Sequence, residues 1–253
     1  MGRLTVMPLG LTDIPVWLIN LPSSQDRMAN MQERLGELGI SYHKFDAING
    51  KQCWEDLVPS IDIEAFEKNV GRKVMPGEIG CYHSHLKVWE QLIETGARVG
   101  LILEDDVVFH PNFRSAVDLA LEHKEAWDIL KLNYIRAKFP AKKARIGEMY
   151  IQSYIGPFTG MGAYLIHAET AARILPQMLP ITRPIDHEID RPKFHEIRHL
   201  ALTPFPSHVS DNNDSTITGQ SFGNVEKFPP WRRLRTYSLR WKNLIDKARY
   251  LSK

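Results

Sequence analysis

Residues 100–109 read Gly-Leu-Ile-Leu-Glu-Asp-Asp-Val-Val-Phe, a short apolar run that ends in three consecutive carboxylates. The apolar part has the length and composition of a buried strand. Three like charges a few ångströms apart destabilise one another, so the strand end needs a positive partner, most simply a divalent cation. In a parallel or mixed sheet, ligand sites lie beyond the carboxyl ends of the strands, which is where this triplet falls. Side chains alternate along a strand, so Glu104 and Asp106 are expected on one face and Asp105 on the other. Such a pair suits Mg2+ or Mn2+ bridging the phosphates of a nucleotide. A solvated acidic strand end that helps cap the helix after Pro111 accounts for the same residues.

The rest of the chain supplies the setting for such a strand. Residues 16–21 (Val-Trp-Leu-Ile-Asn-Leu) form a first buried strand, and Ser23 or Ser24 can cap a helix through Met28, Met31, Leu35 and Leu38 to Gly39. A second strand over 42–48 ends in the turn signal Asn49-Gly50. This strand-helix-strand opening is typical of nucleotide-binding α/β proteins, although no GxGxxG or Walker A sequence accompanies it. A helix starts at Pro76-Gly77-Glu78 and stops at Gly96; a helix over 112–126 and a strand near 128–133 follow the acidic triplet. The basic stretch 137–147 lacks periodicity and is expected to be a mobile surface loop. A strand over 160–166, a helix over 168–179, an ordered proline-punctuated segment over 180–192 and a last strand over 199–206 complete an α/β body with a mixed central sheet.

At 253 residues and 43% hydrophobic content the chain can bury a full core, which excludes disordered and fibrous classes. Cys53 and Cys81 are too few for a disulfide framework and lack metal-ligand spacing, which points to a reducing compartment. The first 20 residues are interrupted by Pro8, Asp13 and Pro15 and read as mature sequence. No apolar run approaches the ~20 residues of a spanning helix. Of 32 basic and 30 acidic residues, nine basic and one acidic (Asp246) fall within 227–253, so that tail is +8 and the remainder −6. The expected organisation is therefore a body over residues 1–226 and a basic tail over 227–253. Trp231, Leu234, Tyr237, Trp241, Leu244 or Ile245, Ala248 and Leu251 recur at helical spacing, with arginines and lysines between them. Such a helix suits an anionic membrane surface, where each basic residue adds roughly 1 kcal/mol. A helix docked on the acidic body accounts for the same pattern.

Several segments, taken in order, resemble the family 25 glycosyltransferases of bacterial lipooligosaccharide synthesis. They are Ile19-Asn20-Leu21 with Arg27, Asp46-Ala47-Ile48-Asn49-Gly50, Gly77-Glu78-Ile79-Gly80-Cys81 with Ser84-His85, and Leu103-Glu104-Asp105-Asp106. Ala163-Tyr164-Leu165-Ile166, Pro184-Ile185-Asp186 and Ser215 continue the match. The resemblance implies a GT-A type, Rossmann-like fold, a nucleotide-sugar donor, commonly UDP-galactose, and inverting transfer to a sugar hydroxyl. It also implies work on an oligosaccharide or lipid-linked acceptor at the cytoplasmic face of the inner membrane, with no nucleic acid involved.

The residue types suit that chemistry. Glycosyl transfer passes through an oxocarbenium-like state while negative charge grows on the departing diphosphate, and a divalent cation absorbs it. Glu104-Asp105-Asp106 looks like the family's version of the Asp-X-Asp element, with Asp106 as the first metal ligand and Glu104 the second; His208 is a third candidate ligand. Inversion requires a base for the acceptor hydroxyl, and Asp186 is the candidate, with Asp190 and Glu188 behind it; capping of a short helix is the other role open to Asp186. Asn20, Arg27, Asp46, Asn49 and Gly50 surround the ends of the first two strands, where base and ribose are expected, and Arg27 can offset phosphate charge. Asn49-Gly50 also serves any tight turn. His85 is read either as a donor contact or as a buried structural histidine, Ser84 as structural. A metal-dependent phosphoesterase or nuclease, and a non-catalytic membrane-associated adaptor, are the rival functions.

Overall fold

The structure, a computed structural model, describes residues 9–191, 196–210 and 226–252. Its strands are β1 (Val16–Asn20), β2 (His43–Asp46), β3 (Val99–Glu104), β4 (Val107–Phe109), β5 (Ile129–Lys131), β6 (Arg136–Ala137), β7 (Pro140–Ile146), β8 (Met149–Tyr154), β9 (Phe158–Thr159), β10 (Ala163–His167), β11 (His199–Thr203) and β12 (Ser207–Val209). The helices are α1 (Gln25–Glu37), α2 (Trp54–Leu57), α3 (Ile63–Val70), α4 (Pro76–Glu94), α5 (Phe113–Glu122), α6 (Ala168–Ile174), α7 (Ile185–Ile189) and α8 (Leu234–Leu251). Eight strands form one sheet in the order β2-β1-β3-β10-β5-β11-β8-β7. β2, β1 and β3 are parallel, whereas β10 runs antiparallel to both β3 and β5. The sheet is therefore mixed, as expected from the alternation of strands and helices.

Side-chain alternation on β1 and β3 builds two cores, one on each face. Val16, Leu18, Leu101 and Leu103 join Met31 and Leu35 of α1 and Phe113 and Val117 of α5. Trp17, Ile19 and Ile102 join Tyr82, Trp89 and Leu92 of α4, together with Ile174 and Ile185. Strands buried on both faces read as continuous apolar runs, and this is why β1 and β3 are legible in the sequence.

Residues 140–154 differ from expectation. In place of a loop over 137–147 there is a hairpin, β7 paired antiparallel with β8, at the edge of the sheet. Most of β7 is solvent-exposed, so its lysines and arginine occupy positions where an edge strand tolerates charge and where charge discourages pairing with another chain. Ser215 lies outside the described residues.

The loop after β2 crosses the first turns of α4 at backbone contact. A Cβ on Gly50 would stand 1.8 Å from the carbonyl oxygen of Pro76, and one on Gly80 would stand 2.3 Å from that of Ile48. Ser84 secures the crossing: its hydroxyl donates to the Gly80 carbonyl (2.7 Å) and accepts from the Ile48 amide (2.9 Å). Asn49 closes the turn, its Oδ1 accepting from the amides of Lys51 and Gln52. Gly50 is thus required by close approach rather than by an unusual φ.

The C-terminal helix α8 rests on α3 with a polar face inward. Thr236 donates to the Lys68 carbonyl (3.1 Å), and the Lys247 ammonium, only 3% exposed, reaches the Gly156 carbonyl (3.0 Å) and the buried carboxylate of Asp190.

Gly80→Ala is expected to lower stability by about 2–3 kcal/mol, because neither backbone at the crossing can yield without displacing α4. Urea denaturation will show this as a lower midpoint; a wild-type midpoint would mean that the crossing is not rigid.

Candidate active site

A cavity of about 290 Å3 opens at the carboxyl ends of β1, β2 and β3, lined among others by Arg27, Ala47, Lys51, Cys81 and all three acids of the triplet. β3 ends at Glu104, and Asp105 and Asp106 form the turn into β4. Each of the three acids has a different environment.

Asp105 is neutralised from the side of α1. Arg27 donates from Nη1 to its Oδ1 (3.0 Å), and Asn20 Nδ2 donates to its Oδ2 (2.7 Å) and to the Ser24 carbonyl (3.2 Å). Both oxygens of Asp105 are engaged. Asn20, 2% exposed, is committed to this turn instead of presenting itself to the cavity.

Glu104 is held from α4. The Trp89 indole N–H donates to the Tyr164 hydroxyl (2.9 Å), Tyr164 contacts His85 Nδ1 (2.9 Å), and His85 Nε2 meets Glu104 Oε1 (3.0 Å). An Nδ1–H tautomer would set a bare Nε2 lone pair against a carboxylate, so the network assigns the proton to Nε2, and Tyr164 donates to Nδ1. The Cys81 thiol approaches the same Oε1 at 3.7 Å. His85 is fully buried and acts on the cavity through Glu104.

Asp106 is the unsatisfied member. Its Oδ1 is buried and has no hydrogen-bond partner among the described residues. Burial, and after it the charges of Glu104 and Asp105, push its carboxyl up to about 7. Its backbone carbonyl accepts from the Ser210 amide (2.9 Å), which joins the turn to the β4–β12 ribbon.

Two donor sets are available to a cation. Cys81 Sγ, His85 Nε2 and Glu104 Oε1 lie within 4.8 Å of one another. In the first two the network places protons, and burial pushes the Cys81 thiol well up, so this group serves as donors to Glu104 more readily than as ligands. The orphaned oxygen of Asp106 beside Glu104 fits an oxygen-preferring divalent cation better.

The other anticipated residues are distributed as follows. Asp46, at the open end of β2, pairs with Lys44 (2.6 Å) and does not line the cavity. Asn49 and Gly50 line it through the loop they shape. His208 stands on β12 with its ring against His110, Nδ1 to Nε2 2.9 Å, and is not among the lining residues. Asp186 is the second residue of α7; its Oδ2 accepts from the Gly160 amide (3.0 Å) and its Oδ1 from the His187 amide (2.8 Å). Gly160 presents that amide from φ 98°, and a Cβ there would stand 2.8 Å from the Ile135 nitrogen. The charges of Asp186 and Glu104 both act on Cys81 and on Lys131, but Asp186 is not among the residues that line the cavity.

Sequence reasoning missed Lys131, Cys81 and Lys51. Lys131 is fully buried, donates to the Phe158 carbonyl (3.1 Å), and is brought down to about 8 by burial. Its strand reads as apolar core, and only a lysine in such a run signals it.

The family model described as "Glycosyltransferase family 25 (LPS biosynthesis protein)" matches residues 13–189, which contain every element around the cavity. The chain belongs to glycosyltransferase family 25. Its mixed sheet flanked by helices is of the GT-A type. It is 26% identical over 249 residues to procollagen galactosyltransferase 1-B of Xenopus laevis, covering 87% of this chain and 41% of that protein. A glycosyltransferase 25 family member of Aedes aegypti is 27% identical over 183 residues, 69% of this chain and 30% of its own length. Inactive glycosyltransferase 25 family member 3 of Homo sapiens is 31% identical over 125 residues, 46% of this chain and 21% of its own length. The chain thus spans about two fifths, or less, of the length of these relatives.

An acid whose pKa is 3.8 unfolded and about 7 folded binds more protons in the folded state between those values. The cation-free protein should therefore lose stability as pH rises from about 4 to 7, and Asp106→Asn should flatten that slope. Urea midpoints across the range test this; equal slopes in the two proteins would refute it. Divalent-cation binding followed by calorimetry should weaken on going from pH 8 to pH 6, because the Asp106 proton must leave first.

Proposed function

We propose that this protein is an inverting glycosyltransferase that moves a hexose, galactose first among the candidates, from a UDP-sugar to a hydroxyl of a lipooligosaccharide core. The observation that carries the reading is Asp106 Oδ1, buried without a partner among the described residues, in a carboxylate that lines a cavity with Glu104, Arg27 and Lys51. Paired acids and nearby cations in one cleft suit a diphosphate carried with its divalent ion. Asp106 and Glu104 would hold Mn2+ or Mg2+, which when bound neutralises charge developing on the leaving diphosphate.

The chain's own residues divide the remaining tasks. Arg27 and Asn20 fix Asp105, and with it the turn that aims Asp106. His85, itself positioned by Tyr164 and Trp89, orients Glu104 by occupying one oxygen. Asp186 receives the proton of the acceptor hydroxyl as that oxygen attacks the anomeric carbon, its carboxylate held in place by the Gly160 and His187 amides. The acceptor assignment places the protein at the inner face of the bacterial inner membrane.

Relatives named as inactive make turnover the decisive measurement. Thermal-shift screening should find a UDP-sugar that stabilises the protein only with Mn2+ or Mg2+ present. Asp106→Ala should abolish that cation-dependent shift and UDP release to acceptor. Asp186→Asn should keep the shift and lower kcat by about 100-fold or more. If no UDP-sugar binds or turns over while lipid binding is intact, the non-catalytic reading replaces this one.

A further inference from the structure

The C-terminal helix presents its apolar row to solvent. Trp231, just before it, is 70% exposed, Leu234 and Trp241 are each 69% exposed, and Ile245 is 45% exposed. These residues follow one another at helical spacing, while the buried positions of the helix are Thr236 and Lys247. An amphipathic helix resting on a protein body ordinarily turns its apolar stripe inward. Here the inward face is fastened by polar contacts: Thr236 to the Lys68 carbonyl, and Lys247 to the Gly156 carbonyl and Asp190. Two tryptophans and two aliphatics thus leave much of their apolar surface in water in the free protein, covered only in part by the rest of the chain.

Charge indicates what covers them. Arg232, Arg235, Lys242 and Arg249 are exposed around the row, and residues 227–253 carry nine basic groups against one acid, on a chain otherwise net negative. An amphipathic helix with tryptophan in its apolar row and cations beside it matches the boundary of an anionic bilayer. Among the described residues no helix is long and apolar enough to cross a membrane, so such contact lies along the surface.

We propose that α8 with Trp231 is a lipid-interface element. Trp231, Leu234, Trp241 and Ile245 sit among the headgroups of an anionic bilayer, and the flanking arginines and lysine pair with lipid phosphates. The same helix is tied to the acid-bearing end of the site. Lys247 holds Asp190, Asp190 accepts from the Phe158 amide (3.1 Å), and Gly160, two residues on, donates to Asp186. Asp186 and Asp190 lie one turn apart at α7. A bilayer that captures α8 thereby sets the position of Asp186 relative to the lipid surface. This inference rests on the docking of the helix and not on the proposed sugar chemistry.

The test uses the full chain without nucleotide sugar. Vesicles of phosphatidylglycerol in phosphatidylethanolamine should sediment the protein and shift its tryptophan emission to the blue, and pure phosphatidylcholine vesicles should do neither. The exposed-site variant W231A/W241A should bind the anionic vesicles about tenfold more weakly at unchanged melting temperature, and R235Q/K242Q/R249Q should remove most of the salt dependence. Wild-type protein that stays in the supernatant, or W231A/W241A that binds equally well, overturns the proposal. So does a wild-type dimer in sedimentation velocity that W231A/W241A dissociates, since the row would then belong to a second copy of the chain.

Discussion

Three carboxylates in sequence cannot share one environment, and the fold separates them. β3 delivers Glu104 at its last residue and turns immediately, so Asp105 swings toward α1 and Asp106 is left between. Arg27 and Asn20 satisfy the first aspartate, and a buried histidine, itself fixed by a tyrosine and a tryptophan, satisfies one oxygen of the glutamate. What remains is one carboxyl oxygen of Asp106, buried without a partner among the described residues, in a carboxyl that burial and its acidic neighbours push up to about 7. Much of the surrounding architecture serves this division: α1 starts where Arg27 can reach the turn, and α4 carries His85 and Trp89 on the face that meets β3.

The backbone crossing of the β2–α2 loop over α4 fixes the other wall of the cavity. Gly50 and Gly80 approach too closely for any side chain, and Ser84 locks the contact. Ala47 and Lys51 line the cavity from this loop, and Cys81, one residue past Gly80, reaches Glu104 itself. Near the middle of the sheet, Lys131 of β5 joins Lys247 and Asp190 in a buried charged cluster that links the C-terminal helix to α7. Removing one partner from such a cluster leaves an uncompensated buried charge.

The legible parts of the sequence were those governed by local pattern. β1 and β3 announce themselves as continuous apolar runs because helices cover both faces of the sheet, and Pro76 and Gly96 bracket α4 as helix-start and helix-stop residues should. β7 was illegible because an edge strand exposes most of its side chains and so loses the alternation that marks a strand, which β8, inside the sheet, keeps. His85 left two readings open, and burial settles its contact: it touches Glu104, and the cavity only through it. His208 carries a ligand's chemistry, but the β4–β12 pairing sets its ring against His110.

The sequence by itself determined that the chain is α/β, that three acids follow one of its buried strands, that its segments follow the order of glycosyltransferase family 25, and that its charge is divided between an acidic body and a basic helical tail. All of these are written in composition, periodicity or order along the chain. Only the tertiary structure decided which acid is left without a partner, which glycines are required by close approach, and which face of the tail looks outward. Those depend on residues distant in sequence: Asp105 meets Arg27 78 positions away, and Lys247 meets Asp190 57 positions away. Amphipathic periodicity gives the faces of a helix but not the direction in which it docks, and here the polar contacts of two residues, Thr236 and Lys247, lie on the inward face and leave the apolar row toward the solvent.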